Sequence, residues 1–165
     1  MTRCWVGIGE IRQAVRGDVL AAVLGSCVSI ILWHERSGRA WMNHVLLPQR
    51  LLERADDEPG RYADESWRMM QYQLLKEGVA LADCCCYVVG GGYGFGQGPQ
   101  DVGGRNVAQV LALLQQAGVA VDSSDVGGNW YRTVQFDPDD GLLRVRKYQT
   151  VPPRRRLAAA RSQGV

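Results

Sequence analysis

No apolar run in these 165 residues approaches the ~20 needed to cross a bilayer, although 46% of the chain is hydrophobic. Behind Met1-Thr2-Arg3-Cys4-Trp5 there is no apolar leader core. The expectation is therefore a cytoplasmic chain with no membrane insertion. A nucleotide fingerprint is lacking too. The stretch Gly90 to Gly98 fits G-x-G-x-x-G in no frame, and no glycine is followed by Lys-Ser or Lys-Thr. The five cysteines have no metal-type spacing. Three of them, Cys84-Cys85-Cys86, are adjacent, and alternation along a strand prevents them from sharing one ion. No metal and no cofactor are expected. An odd cysteine count without pattern suits a reducing compartment. A basic nucleic-acid platform is missing as well. Arg154, Arg155, Arg156 and Arg161 carry four positive charges with no acid beside them, so the formal +2 becomes −2 for residues 1–150.

What is present reads as one folded domain over residues 1–150, followed by a small basic tail, 151–165, that opens Val151-Pro152-Pro153 and is expected to be disordered. Val6 to Ile11 reads as a first strand. Val23 to Trp33 and Ala40 to Leu47 are apolar runs rich in β-branched residues, separated by the polar segment His34 to Arg39. That is a hairpin pattern. Gln49 to Gly60 is a loop. Glu65 to Glu77 carries Trp67, Met70 and Leu74 at helical spacing. Ala82 to Gly90 reads as a buried strand, and the glycine stretch after it as a mobile loop bordering a site or a partner surface. Asn106 to Ala117 is a second helix, with Val107, Val110, Leu111 and Leu114 on one stripe. Val119 to Val126, Tyr131 to Phe136 and Leu142 to Tyr148 complete the strands, and Asp137 to Gly141 is a turn between the last two. Strands, two helices and late strands make an α+β layered fold.

The hairpin carries the chemistry. If its loop spans His34 to Ser37, Cys27 and His44 oppose each other directly. If the loop runs to Arg39, they are diagonal neighbours on the same face. The register between these two puts them on opposite faces. A thiol beside an imidazole is the minimum for cysteine-nucleophile chemistry, and an imidazolium lowers the thiol's pKa. Space-filling cysteine and a satisfied strand histidine are the structural alternative.

Leu24-Gly25-Ser26-Cys27-Val28 followed by His44-Val45-Leu46-Leu47-Pro48 resembles the chemoreceptor glutamine deamidase family, CheD. Arg61-Tyr62-Ala63-Asp64, Val89-Gly90-Gly91-Gly92, Val102-Gly103-Gly104-Arg105-Asn106, and Asp125-Val126-Gly127-Gly128 with Arg132 resemble further segments of that family, in order. The resemblance covers residues 6 to 147. It implies a sheet sandwich flanked by helices, similar to deamidating cysteine hydrolases. It also implies a protein-glutamine glutaminase that converts receptor glutamine to glutamate through a thioester, with Cys27 as nucleophile and His44 as base. Glutamyl methyl esters are a further substrate by the same route. Gly25 and Ser26 are candidate oxyanion donors. Ser26, Ser29, Asn43 or a backbone carbonyl are candidates to orient His44. The implied partners are the cytoplasmic bundle of methyl-accepting receptors and a CheC-type phosphatase. Two positions depart from the pattern: Ala21 stands where the family has an active-site threonine, and Tyr131 stands where a glycine is common. The competing expectation is a docking module that has lost turnover.

Overall fold

The computed structural model describes residues 1–52, 58–93 and 101–149. The expected tail and part of the glycine stretch, 94–100, lie outside the described residues. Nine strands and two helices are present there. The strands are β1 (Thr2–Trp5), β2 (Ile11–Ala14), β3 (Asp18–Leu24), β4 (Val28–His34), β5 (Arg39–Asn43), β6 (Cys85–Gly90), β7 (Ser123–Val126), β8 (Tyr131–Asp137) and β9 (Leu142–Tyr148). The helices are α1 (Ala63–Lys76) and α2 (Val102–Gln116). One sheet runs β1-β3-β8-β9 and the other β2-β5-β4-β6-β7, each mixing parallel and antiparallel pairs.

Layering follows from which faces are apolar. Leu20, Ala22, Leu24, Val134 and Phe136 of the first sheet pack against Ile31, Ala40, Met42 and Val89 of the second. The second sheet's other face, with Val28, Ile30, Leu32 and Trp41, takes Trp67, Met70 and Leu74 of α1 and Val110 and Leu114 of α2. The five-stranded sheet is thus covered on both sides. That is why β4 reads as a continuous apolar run, whereas β8, covered on one side, alternates buried and half-buried residues along its length. Each large aliphatic side chain so buried contributes roughly 1.5–3 kcal/mol before conformational entropy is charged against it. The arrangement is an α+β sheet sandwich flanked by helices.

Several expected boundaries move. The run from Val23 to Trp33 is two strands in different sheets, broken at Gly25–Cys27. Apolar content alone could not show the break, because both strands bury both faces. The expected strand Val6–Ile11 is a turn between β1 and β2, where Gly9 has φ 80°. β5 stops at Asn43 rather than Leu47. Helix α2 starts four residues before Asn106, because Asp101 caps it: its Oδ1 accepts from the Gly104 N–H at 2.8 Å. Gly103 is helical and lies against the Gly91 and Gly92 carbonyls, where a Cβ has no room. β6 and β7 begin later than expected, after a 3-10 turn over Leu81–Asp83 and a bend at Asp122.

Candidate active site

Cys27 lies where the chain passes from one sheet to the other. All three carbonyls of Gly25–Ser26–Cys27 are held. Gly92 N–H donates to Gly25 O at 2.9 Å, and Gly91 N–H to Cys27 O at 2.8 Å. Asn106 Nδ2 donates to Ser26 O at 3.0 Å. The three N–H groups, by contrast, donate no hydrogen bond among the described residues. Ordinary ladder pairing is therefore not what this segment does. Gly90 makes the corner possible: its φ of 115° is a glycine conformation, and a Cβ there would run into the Cys27 carbonyl. The corner is tied down by buried Arg132, which donates to Asp125 Oδ1 at 3.1 Å, to Gly127 O at 2.7 Å and to Gly90 O at 3.4 Å. Tyr131, the residue that replaces a common glycine, has its ring against Gly25, 3.0 Å from where a Cβ would sit.

His44 follows the end of β5. The β4–β5 ladder pairs Trp33 with Ala40 and Ile31 with Met42. One more pair, Val28 with Val45, closes it through hydrogen bonds of 3.1 and 2.8 Å. This is the longer-loop register. It sets Cys27 and His44 as diagonal neighbours on the face of β4 and β5 that looks into the inter-sheet core. Ser29 opposes His44 directly in the same register, and its buried hydroxyl has no hydrogen-bond partner among the described residues. Asn43 points to the other face. Its Oδ1 accepts from the Ile30 N–H at 2.7 Å, and its Nδ2 donates to Ser66 Oγ at 3.0 Å, so it does not orient His44.

The group that does is a backbone carbonyl. His44 Nδ1 lies 2.9 Å from Val6 O. A carbonyl can only accept, so Nδ1 carries the proton and the neutral ring keeps its lone pair on Nε2. Nε2 is buried and unpartnered among the described residues. The backbone on either side is held as well: His44 N–H donates to Glu10 O at 3.1 Å, and Gly9 N–H to His44 O at 2.9 Å. Val6 is fixed in turn by its own N–H, which donates to Ala21 O at 2.8 Å. Ala21 thus enters the chain of contacts through its carbonyl. Its methyl, by strand alternation, lies on the face of β3 away from Leu20, Ala22 and the inter-sheet core.

Burial sets the protonation states. Cys27 is 7% exposed and His44 4%. Burial pushes the Cys27 thiol up to about 11. Burial also pulls His44 below its usual value, against the opposing pull of the Val6 bond and the Glu10 carboxylate. The sequence-based expectation of a thiol lowered by imidazolium is not met: both groups rest neutral. Cys84, at about 11, and Cys86, at about 12, are raised by burial too. Ionisation alone therefore does not set Cys27 apart. Among the described residues no three His, Cys, Asp or Glu side chains gather to hold a metal ion. His34, at the far end of the hairpin, bonds Ser37 Oγ at 2.7 Å.

A family model described as CheD chemotactic sensory transduction matches residues 46–147. A protein named "Probable chemoreceptor glutamine deamidase CheD 2" from Anaeromyxobacter dehalogenans is 35% identical across 93% of this chain and 99% of its own length. The chain belongs to the CheD family. The "Chemoreceptor glutamine deamidase CheD" of Thermotoga maritima is 32% identical across 86% of this chain and 90% of its own. A CheD relative from Oceanobacillus iheyensis is 36% identical across 75% and 78%. The CheD model match begins two residues past His44. No helix of the described residues is long and apolar enough to cross a membrane.

Two groups that hydrogen-bond within this candidate site were missed by sequence reasoning. The Val6 carbonyl leaves no side-chain signature. Asn106 was visible only as the last residue of the Val102–Asn106 segment.

Proposed function

We propose that this chain is a cytoplasmic protein-glutamine deamidase acting on chemotaxis receptors, with Cys27 as nucleophile and His44 as general base. The observation that carries the reading is the His44 ring: its Nδ1 proton is committed to Val6 O at 2.9 Å, which leaves a free Nε2 lone pair on the face it shares with Cys27. Nε2 takes the Sγ proton as sulfur attacks the carboxamide carbon. The tetrahedral oxyanion collects on N–H groups of the Gly25–Cys27 segment, which have no other partner among the described residues. The C–N bond breaks, and ammonia leaves with the proton returned by His44. Water then loses a proton to Nε2 and adds to the thioester. The C–S bond breaks, the departing Cys27 sulfur takes the proton back from Nε2, and the product is glutamate. A glutamyl methyl ester follows the same path with methanol leaving.

Neutral resting partners fit a base that works during attack rather than a preformed ion pair. Each turnover places a carboxylate on a receptor helix, where like charges alter helix packing. The test is trapping: hydroxylamine added to enzyme and receptor fragment intercepts the thioester as a glutamyl hydroxamate. Hydroxamate that requires Cys27 supports the proposal.

One observation favours the competing reading of a docking module: a thiol pushed up to about 11 is a poor nucleophile until a base removes its proton. In that reading the chain docks a receptor helix or a CheC-type phosphatase without turnover. Retention of the receptor fragment with no hydroxamate selects it.

A further inference from the structure

We infer that Asn106 is a positioning residue of the site, holding the nucleophile arm and the base arm at one spacing; this rests on the deamidase reading of Cys27 and His44. Asn106 stands in the second turn of α2, on neither arm. Its side chain is fully buried. Its Nδ2 donates at 3.0 Å to Ser26 O, immediately before Cys27, and at 3.0 Å to Leu46 O, two residues after His44. Both amide hydrogens are therefore spent on carbonyls of opposite arms. Two carbonyl partners also fix the amide orientation, since the oxygen end could not accept from either.

The location gives the contact its meaning. Val28–Val45 is the last pair of the ladder. Beyond it the arms diverge, the Cys27 arm toward β3 and the His44 arm toward α1. Among the described residues, the Asn106 amide is the one side chain that donates to both arms past that pair. α2 can place it there because glycine at 103 lets the helix start against Gly91 and Gly92, the residues that hold Cys27 O and Gly25 O. Helix seat, glycine corner and hairpin end form one unit. A shift of about 1 Å between reacting groups costs up to ~10²-fold in rate.

The test pairs Asn106→Ser, which keeps one donor, with Asn106→Ala, and reads Cys27 alkylation against pH together with deamidation of a receptor cytoplasmic fragment. In the parent protein, His44 assistance is expected to give the alkylation profile an inflection that His44→Ala removes. The expected result is that Asn106→Ser loses most of that inflection and lowers kcat roughly tenfold or more, with KM nearly unchanged. If Asn106→Ala does not fold, the serine variant carries the test. An unchanged inflection and kcat in Asn106→Ser, even with a lower Tm, overturns the inference and leaves Asn106 a structural clamp. A parent that shows the inflection but deamidates nothing sinks the function reading, while the alkylation comparison still decides the role of Asn106.

Discussion

His44 Nδ1 donates to the carbonyl of Val6 at 2.9 Å, and that contact fixes which nitrogen of the ring can act as a base. Val6 comes before β2, far from His44 in sequence, yet its carbonyl holds the ring as a side-chain hydroxyl or carboxylate holds the histidine of a catalytic triad. Under the proposed mechanism, replacing His44 with alanine removes the base and keeps the nucleophile. The expected loss in kcat for deamidation is ~10²–10⁴-fold. Steady-state kinetics on a receptor fragment checks it, with circular dichroism to show that the fold survives.

The acid limb of activity should lie below pH 6.5. Burial disfavours the charged ring, so His44 stays neutral, and competent, at pH values where a free histidine is largely protonated. The sign for stability runs the same way. The unfolded chain binds the proton first, so the stability from keeping His44 neutral is complete above 6.5 and is lost as pH falls from there toward the lower folded value. Glu10 opposes the shift, because its carboxylate favours the charged ring. Glu10→Gln should move the acid limb of kcat/KM to still lower pH. A limb at or above 6.5 in the parent contradicts this account of the buried base.

Ala21→Thr should not raise the rate. The family pattern places an active-site threonine at position 21, where this chain has Ala21. The β3 alternation instead puts that side chain on the sheet face away from Cys27, in a fully buried position. Extra atoms there face a packed surface, at a cost of about 1–3 kcal/mol. Thermal unfolding should show a lower Tm, and kcat should stay within about twofold of the parent. A clear rise in kcat restores the side-chain role.

Much of the fold was legible because its cues were local. Trp67, Met70 and Leu74 marked α1, and Asp137 to Gly141 marked the β8–β9 turn. The same-face relation of Cys27 and His44 was one outcome that strand periodicity allowed; the intermediate register would have put them on opposite faces, and only the ladder decides between them. The break at Gly25–Cys27 was not legible. β3 and β4 are both apolar on both faces, so nothing in the run signals a change of sheet. The neutral resting state was also hidden, since burial of Cys27 and His44 depends on residues distant in sequence. Gly103 and Gly104 carry low helix propensity, which tertiary contact overrides, so α2 starts before the expected Asn106.

Gly103→Ala tests that override. The new methyl meets the Gly91 and Gly92 carbonyls, which are backbone and cannot rotate away. The expected effect is a loss of about 1–3 kcal/mol in chemical denaturation, although alanine is the better helix former in isolation. A stabilised protein would mean that the seat of α2 is looser than described.

The most direct measurement is mass spectrometry of a receptor cytoplasmic fragment incubated with the parent protein, with Cys27→Ala and with His44→Ala. The account predicts glutamine converted to glutamate at defined positions by the parent, none by the cysteine variant, and at most a trace by the histidine variant. Conversion that persists without Cys27, or a parent that leaves every glutamine intact while binding the fragment, would contradict it.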